Sequence, residues 1–310
     1  MSVLPHTEPA CLEDPADGAQ EIEPHVRPLA EGLTVARMLP ALPRKMVGPF
    51  IFMDHMGPAR FAEGRGLDVG PHPHLNLATV TYLFEGELLH RDSLGTEQVI
   101  ASGAVNWMNA GAGIAHSERS PVASRAAGPK LHGLQLWVAL PTEFEQAAPS
   151  FEHHPAEAIP AVEAPGARVR VLAGAAYGAS SPVTVRSRLF YVDAELERGA
   201  RLELPADFQE RAAYVVSGAV AFAGQVPRPG RMRVFREGAR VTLEALAPSR
   251  VVLLGGDRLD GERYIWWNFV SSSRERIEEA KRAWREDRFA RIPGEREARI
   301  ALPPDIGRPR

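Results

Sequence analysis

From about residue 24 onward the chain is a succession of short apolar or alternating segments, among them Thr79 to Phe84, Leu131 to Leu140 and Leu189 to Ala194, each cut off by Gly, Pro or Asp. The 27 glycines and 27 prolines supply those breaks. Many short strands separated by turn signals predict an all-β sandwich or barrel. A βαβ fold would need helical patterns between its strands, and none is present.

Two stretches share one pattern. VTYLFEGELLHRDS with SGAVNWMNAGAG, and AAYVVSGAVAFAGQ with EGARVTLEALAP, each pair a strand–Gly–strand hairpin signal with a later Gly-led strand, which predicts duplication of one barrel. At 310 residues the chain suits two domains of about 150. The expected organisation is a poorly ordered Pro-, Glu- and Asp-rich start over 1–24, an N-terminal barrel over 25–145, a connector over 146–180, a C-terminal barrel over 181–270, and a helix with a tail over 271–310. SSSRERIEEAKRAWREDRFARIPG reads as one amphipathic helix, with Ser272 and Glu275 at capping-box spacing, Ile277, Ala280 and Trp284 on one face, and Pro293-Gly294 as its stop. Its apolar stripe is expected to pack on a barrel wall.

Composition narrows the function. A formal charge of -3 with both signs mixed along the chain leaves no electrostatic footprint for direct nucleic-acid or anionic-membrane binding. No stretch approaches the roughly 18 apolar residues of a membrane helix. The start lacks a basic region followed by an apolar run, so no secretory signal is read there. One cysteine, Cys11, forms no internal disulfide and fits a reducing compartment, so a cytoplasmic location is expected.

The chemistry lies in two short patterns. In GPHPHLN, His72 and His74 are two apart, so on a strand both imidazoles leave the same face. In GIAHSER, His116 and Glu118 repeat that spacing about forty residues later, enough chain to run out along a hairpin and return. An isolated H-x-H is more often surface or satisfied core; the second pair and the GAG loop before it favour a metal. Imidazole nitrogen with one carboxylate oxygen suits Fe, Mn, Co, Ni, Cu or Zn better than Ca or Mg.

The segments PFIFMDHMGP, HPHLNLATVTYLFEGELLHRDSLG, NWMNAGAGIAHSER and LHGLQLWVALP resemble the pirin family of the cupin superfamily, and IWWNFVSSSRERIEEAKRAWREDRF resembles the C-terminal segment of its bacterial members. The resemblance spans about residues 30 to 303. It implies a bicupin, two antiparallel jelly-roll-type β-barrels face to face with a C-terminal helix, and one metal ion, most simply Fe(II), in the N-terminal barrel on His72, His74, His116 and Glu118. Relatives typically carry an Arg after H-P-H and a Glu four residues after its second His; Leu75 and Ala78 stand there in this chain. Strand parity puts position 78 on the inward face, so the pocket is expected to be more apolar than the family pattern.

The resemblance implies an oxygenase of quercetin 2,3-dioxygenase type, taking O2 and a flavonol or another aromatic, enolic or catechol-like compound, with Glu118 doubling as ligand and base. The competing implication is a redox-sensing regulator whose iron oxidation state tunes binding to a transcription factor or metabolic enzyme; a zinc-bearing relic without activity is the third. A monomer is expected. His90 and Asp92 are candidates to orient substrate at the pocket mouth or to hydrogen-bond within the rim. His55 beside Asp54 is read as loop structure rather than metal support. Trp107, Met108, Trp266 and Trp267 are read as core, and His153 and His154, adjacent in the connector, as a poor chelate.

Overall fold

The computed structural model describes residues 9–13 and 18–304. Strands follow one another along almost the whole of that length and pair antiparallel throughout the named ladders, in two barrel-like units. In the first, a broad sheet runs in the order Ser150–His154, Val105–Asn109, Leu77–Asp92, Lys130–Ala139, Phe50–Arg60, Leu33–Leu39, His25–Ala30. The opposing wall is Asp68–His74 paired with Ile114–Arg119, which pairs with the far end of Leu77–Asp92, itself edged by Glu97–Ala101. The second unit repeats the plan, with Leu189–Leu196, Ser249–Gly256 and Glu210–Ser217 central in its broad sheet and a three-stranded sheet opposite. This is the bicupin arrangement.

A strand that serves two walls must turn a corner, and Gly86 is where Leu77–Asp92 does so. Its φ is +91°, and a Cβ there would lie 2.0 Å from the Lys130 carbonyl oxygen. Before it the strand pairs with Lys130–Ala139; after it, with Glu97–Ala101. The glycine expected to make a hairpin therefore bends one continuous strand from sheet to sheet. Gly218 does the equivalent in the second unit, between Glu210–Ser217 in the broad sheet and Val220–Phe222 in the small one.

The outer faces of the two broad sheets form the inter-barrel core. Val80, Tyr82, Leu134 and Leu136 of the first pack with Tyr191, Ala212, Tyr214 and Val252 of the second. Two polar links cross the same seam: the Tyr82 hydroxyl donates to Asp193 at 2.7 Å, and His55 Nδ1 meets the Tyr214 hydroxyl at 2.6 Å; Arg250 of the second barrel holds Asp193 in place at 2.8 and 2.5 Å. His55 thus sits on a strand at the seam, not in a loop, while Asp54 turns into the first barrel and pairs with Arg37. The second barrel's interior is mainly apolar, from Val169 and Val192 to Phe222 and Leu253, with Arg211 and Arg233 buried on the same face of its broad sheet.

Three expected boundaries are corrected. In the segment expected to be poorly ordered, Ala10–Glu13 and Gln20–Glu23 pair with each other, and residues 20–22 extend the second barrel by pairing with Met232–Val234; fully buried Ile22 anchors them. The remainder of that segment includes 1–8 and 14–17, outside the described residues. In the expected connector, Ser150–His154 belongs to the first barrel's sheet, and Ala161–Ala164 and Ala167–Ala176 to the second's. The C-terminal helix, Arg274–Arg285, is capped by Ser273, whose hydroxyl accepts from the Arg276 amide, rather than by Ser272, and it stops at Glu286 and Asp287, well before Pro293. Asp287, at φ +59°, ends it in the left-handed conformation. Its buried face is Ile277, Ala280 and Trp284 as expected, and it packs with Leu75, Ala115, Trp266 and Trp267 on the first barrel's ligand-bearing wall. No helix among the described residues is long and apolar enough to cross a membrane.

Inside the first barrel Arg37 and Asp54 form a bidentate ion pair at 2.8 Å in both contacts, with neither side chain exposed. Removing one partner of such a pair strands a buried charge. Arg37→Met should lower unfolding free energy by about 3–5 kcal/mol in urea titration, and the Arg37→Met/Asp54→Leu double variant by much less; equal losses in both would show that the pair matters only through its packing.

Candidate metal centre

The site is assembled by strand register. His116 on Ile114–Arg119 lies directly opposite His72 on Asp68–His74, and Ile114 lies opposite His74. Period-two alternation then carries His74 to the same face as His72. The His72 and His116 rings stand 4.3 Å apart, His74 and His116 4.9 Å, and His72 and His74 5.2 Å. Their nearest ligand nitrogens all fall within 4.8 Å of one another.

The backbone explains how two prolines fit among these ligands. Asp68–His74 pairs on one side only, and an edge strand tolerates Pro71 and Pro73, which have no amide proton for a ladder. Between the His116–His72 and Glu118–Val69 pairs, the strand carrying Gly70 and Pro71 holds one extra residue, a bulge. There the Gly70 carbonyl accepts from His72 Nδ1 at 2.9 Å. That bond puts the proton on Nδ1 and leaves the Nε2 lone pair facing the other histidines. The strand's outer edge is covered by the segment after the C-terminal helix, where the Ile300 amide donates to the Pro71 carbonyl at 2.8 Å and the Trp284 indole to the Ile300 carbonyl at 2.9 Å.

His72 Nε2, His116 Nε2 and the His74 nitrogen turned toward them are buried without a hydrogen-bond partner. An unsatisfied buried polar atom costs about 1–3 kcal/mol, so the three that converge, one from each ring, need an external partner. Burial also holds the rings neutral, pushing His72 down to about 3 and His74 and His116 well below the usual histidine value. Converging neutral imidazoles offer lone pairs to a cation, and the group fits one transition-metal ion.

Glu118 does not join that cluster in the arrangement seen. Its Oε1 lies 3.4 Å from the Thr81 hydroxyl, which is 2.9 Å from Gln135 Oε1. A hydroxyl has one proton to donate, and the shorter contact claims it, so the carboxylate is only loosely tethered. Glu118 remains on the histidines' wall, two residues from His116 and 5% exposed.

Position 78 is where parity misleads. Asn76 adopts φ +56°, its amide and side-chain nitrogens bonding the Gly111 carbonyl at 2.9 and 3.0 Å, and this bend separates Asp68–His74 from Leu77–Asp92. The face therefore resets. Ala78 packs in the inter-barrel core with Val80 and Tyr82, while Leu77 and Leu83 face the barrel interior and Thr81 reaches Glu118. The expected apolar pocket wall at 78 is overturned: a hydroxyl faces the site from position 81. Leu75 packs against Phe269 and the helix cluster.

Other candidates separate. His90 lies behind His116, and Asp92 behind His90, rather than at a mouth. Trp107 packs in the inter-barrel core and Met108 with Ile114 and Phe151, while Trp266 and Trp267 pack under the helix. His153 bonds Asn106 and His154 bonds Glu152, with no shared ligand. Sequence reading missed Trp137, whose ring stands edge-on to His74 at 5.1 Å, and the Thr81–Gln135 pair. The signal for the latter was alternation of Thr79 and Thr81 within an apolar strand.

Two family models match the chain: Pirin over residues 32–138, the barrel carrying the histidines, and the Pirin C-terminal cupin domain over residues 191–290. A pirin-like protein of Caulobacter vibrioides is 52% identical over 82% of this chain and 89% of its own length. A Pseudomonas aeruginosa protein named as a candidate quercetin 2,3-dioxygenase is 39% identical over 92% of this chain and 90% of its own. The crystal structure of a quercetin 2,3-dioxygenase from Acinetobacter baumannii superposes with a TM-score of 0.86 at 35% identity, covering 94% of this chain and 97% of that one.

The neutral histidines set a pH dependence. His72 changes from 6.5 in the unfolded chain to about 3 when folded, so between those pH values the unfolded state binds a proton the folded state refuses. His74 and His116 act in the same direction. Stability of the metal-free protein should be independent of these groups above about pH 7 and fall as pH drops below 6.5. Urea titrations from pH 7.5 to 4 check this; a His72→Phe/His74→Phe variant should show a shallower slope, and an unchanged slope would refute the assignment.

Proposed function

The chain belongs to the pirin family, and on that premise we propose that it is a metal-dependent oxygenase that uses O2 on a flavonol or another enolic or catechol-like compound, with its ion held by His72, His74, His116 and Glu118. The observation that carries this reading is the set of three buried, unpartnered ring nitrogens, one from each histidine, that lie within 4.8 Å of one another. Support for the reaction class comes from the relatives named for quercetin 2,3-dioxygenase, which align with this chain over most of its length. Iron(II) is the proposed ion.

When bound, the ion supplies Lewis acidity toward a substrate hydroxyl and one-electron redox capacity toward dioxygen. The chain's own residues do the rest. Because the Thr81 proton goes to Gln135, the Glu118 oxygens stay free either to turn toward the histidines or to accept a hydroxyl proton. Gly70 and Trp137 hold the His72 and His74 rings in place, one by a hydrogen bond and one by edge-on packing. The first barrel's interior, with Phe52, Leu77 and Trp137, keeps bulk water from the deprotonated substrate.

Elemental analysis of the purified protein followed by O2 uptake with the iron-loaded form tests this across flavonols and catechols. Stoichiometric O2 consumption with one of them is expected, with metal and activity both lost in His72→Ala and His116→Ala. Glu118→Gln should lower kcat by about 10²–10⁴-fold. No O2 uptake at full iron occupancy would overturn the oxygenase, and a partner affinity that follows iron oxidation state would then mark a regulatory protein.

A further inference from the structure

Behind His116 stands a line of side chains that the ligand set does not use. His116 Nδ1 faces His90 Nδ1 at 3.4 Å, and His90 Nε2 faces Asp92 Oδ2 at 2.9 Å. The other Asp92 oxygen, Oδ1, accepts the amides of Leu94 at 2.9 Å and Thr96 at 3.1 Å, which fixes the carboxylate in its turn. Phe151 stacks on the His90 ring at 4.4 Å and 20°, which fixes its plane. All three groups in the line are buried.

Each contact needs one proton and one lone pair, so the line has a direction. An ionised carboxylate only accepts, and His90 must therefore carry its proton on Nε2. With a single ring proton, held on Nε2 by Asp92, His90 presents a lone pair at Nδ1, which is satisfied only if His116 carries its proton on Nδ1. That leaves His116 Nε2, one of the unpartnered buried nitrogens, as a lone pair facing His72 and His74. We propose that Asp92, acting through His90, is a positioning residue that sets the His116 tautomer and so readies its Nε2 for the metal. The inference rests on the metal-site reading above. Gly70 performs the same service for His72 with a single carbonyl; His116 receives it from a carboxylate one imidazole removed.

The arrangement makes Asp92→Asn an informative change. Two backbone amides require an acceptor at the Oδ1 position, so the asparagine oxygen stays there and its NH2 group takes the place of Oδ2. His90 must then accept at Nε2 and donate from Nδ1, and His116 is driven to the tautomer with its proton on Nε2. The turn survives and the ligand is blocked. Long-range ¹H–¹⁵N spectra of the metal-free protein should show His116 protonated on Nδ1 in wild type and on Nε2 in Asp92→Asn.

Competition of Co(II) against a chelator, read in the visible spectrum, should give 10–100-fold weaker binding for Asp92→Asn. His90→Gln, whose amide can accept from His116 and donate to Asp92, should retain more affinity than His90→Leu. An unchanged His116 tautomer, or Co(II) affinity within about twofold of wild type in Asp92→Asn while His72→Ala has lost it, overturns the relay and leaves the metal site standing. Wild-type protein that takes up no Co(II) overturns both.

Discussion

Everything at the site follows from one cross-strand pair, His116 opposite His72. Antiparallel pairing fixes which side chains share a face, so once these two residues are in register His74 is placed by alternation and Ile114 by the ladder. A slip of one residue would send His116 out of the barrel. The register is held from both sides of Ile114–Arg119, since the same strand also pairs His116 with Asp92 and Glu118 with His90 on Leu77–Asp92. The strand that brings the third histidine is therefore clamped between the one that brings the first two and the one that carries the groups behind it.

The second barrel has a mainly apolar interior and backs the first. Its broad sheet lies against the broad sheet of the first, and the polar links across the seam fall on Leu77–Asp92 and Phe50–Arg60 through Tyr82 and His55. Phe50–Arg60 also carries Asp54 and Phe52; Arg37 lies 4.5 Å over the Phe52 ring, and Phe52 stacks on Trp137 at 4.0 Å. Trp137 in turn meets His74. A chain of packed groups thus runs from the ion pair in the first barrel to a ligand ring, and the second barrel packs on the other face of the sheet from which those groups project.

Much of this was legible from residue spacing. H-x-H and H-x-E each report a shared strand face, and strands punctuated by glycine and proline report the barrels. What spacing could not report is where a strand ends as a geometric object. Asn76 breaks parity between His74 and Ala78, and Gly86 bends a strand where the sequence looks like a hairpin. Contacts between strands that are neighbours only through register were equally hidden, which is why His90 and Asp92 looked like rim residues. At the start of the chain, local composition suggested disorder because the partner that orders residues 20–22, at 232–234, lies in the other half of the sequence. At the helix, Ser272 had the capping-box spacing to Glu275, and only a tertiary contact shows otherwise: Glu145 takes the Ser272 hydroxyl, and Ser273 caps.

The covering of the histidine-bearing edge strand has a consequence in time. Pro71 and Pro73 prevent that strand from recruiting a neighbour on their donor side, and its exposed carbonyl edge is closed by Ile300, one of the last described residues. A chain emerging from the ribosome makes His72 and His74 long before Ile300, the residue that closes the edge of their strand. The pocket therefore cannot take its final form during synthesis of either barrel; it is finished only after translation has passed both.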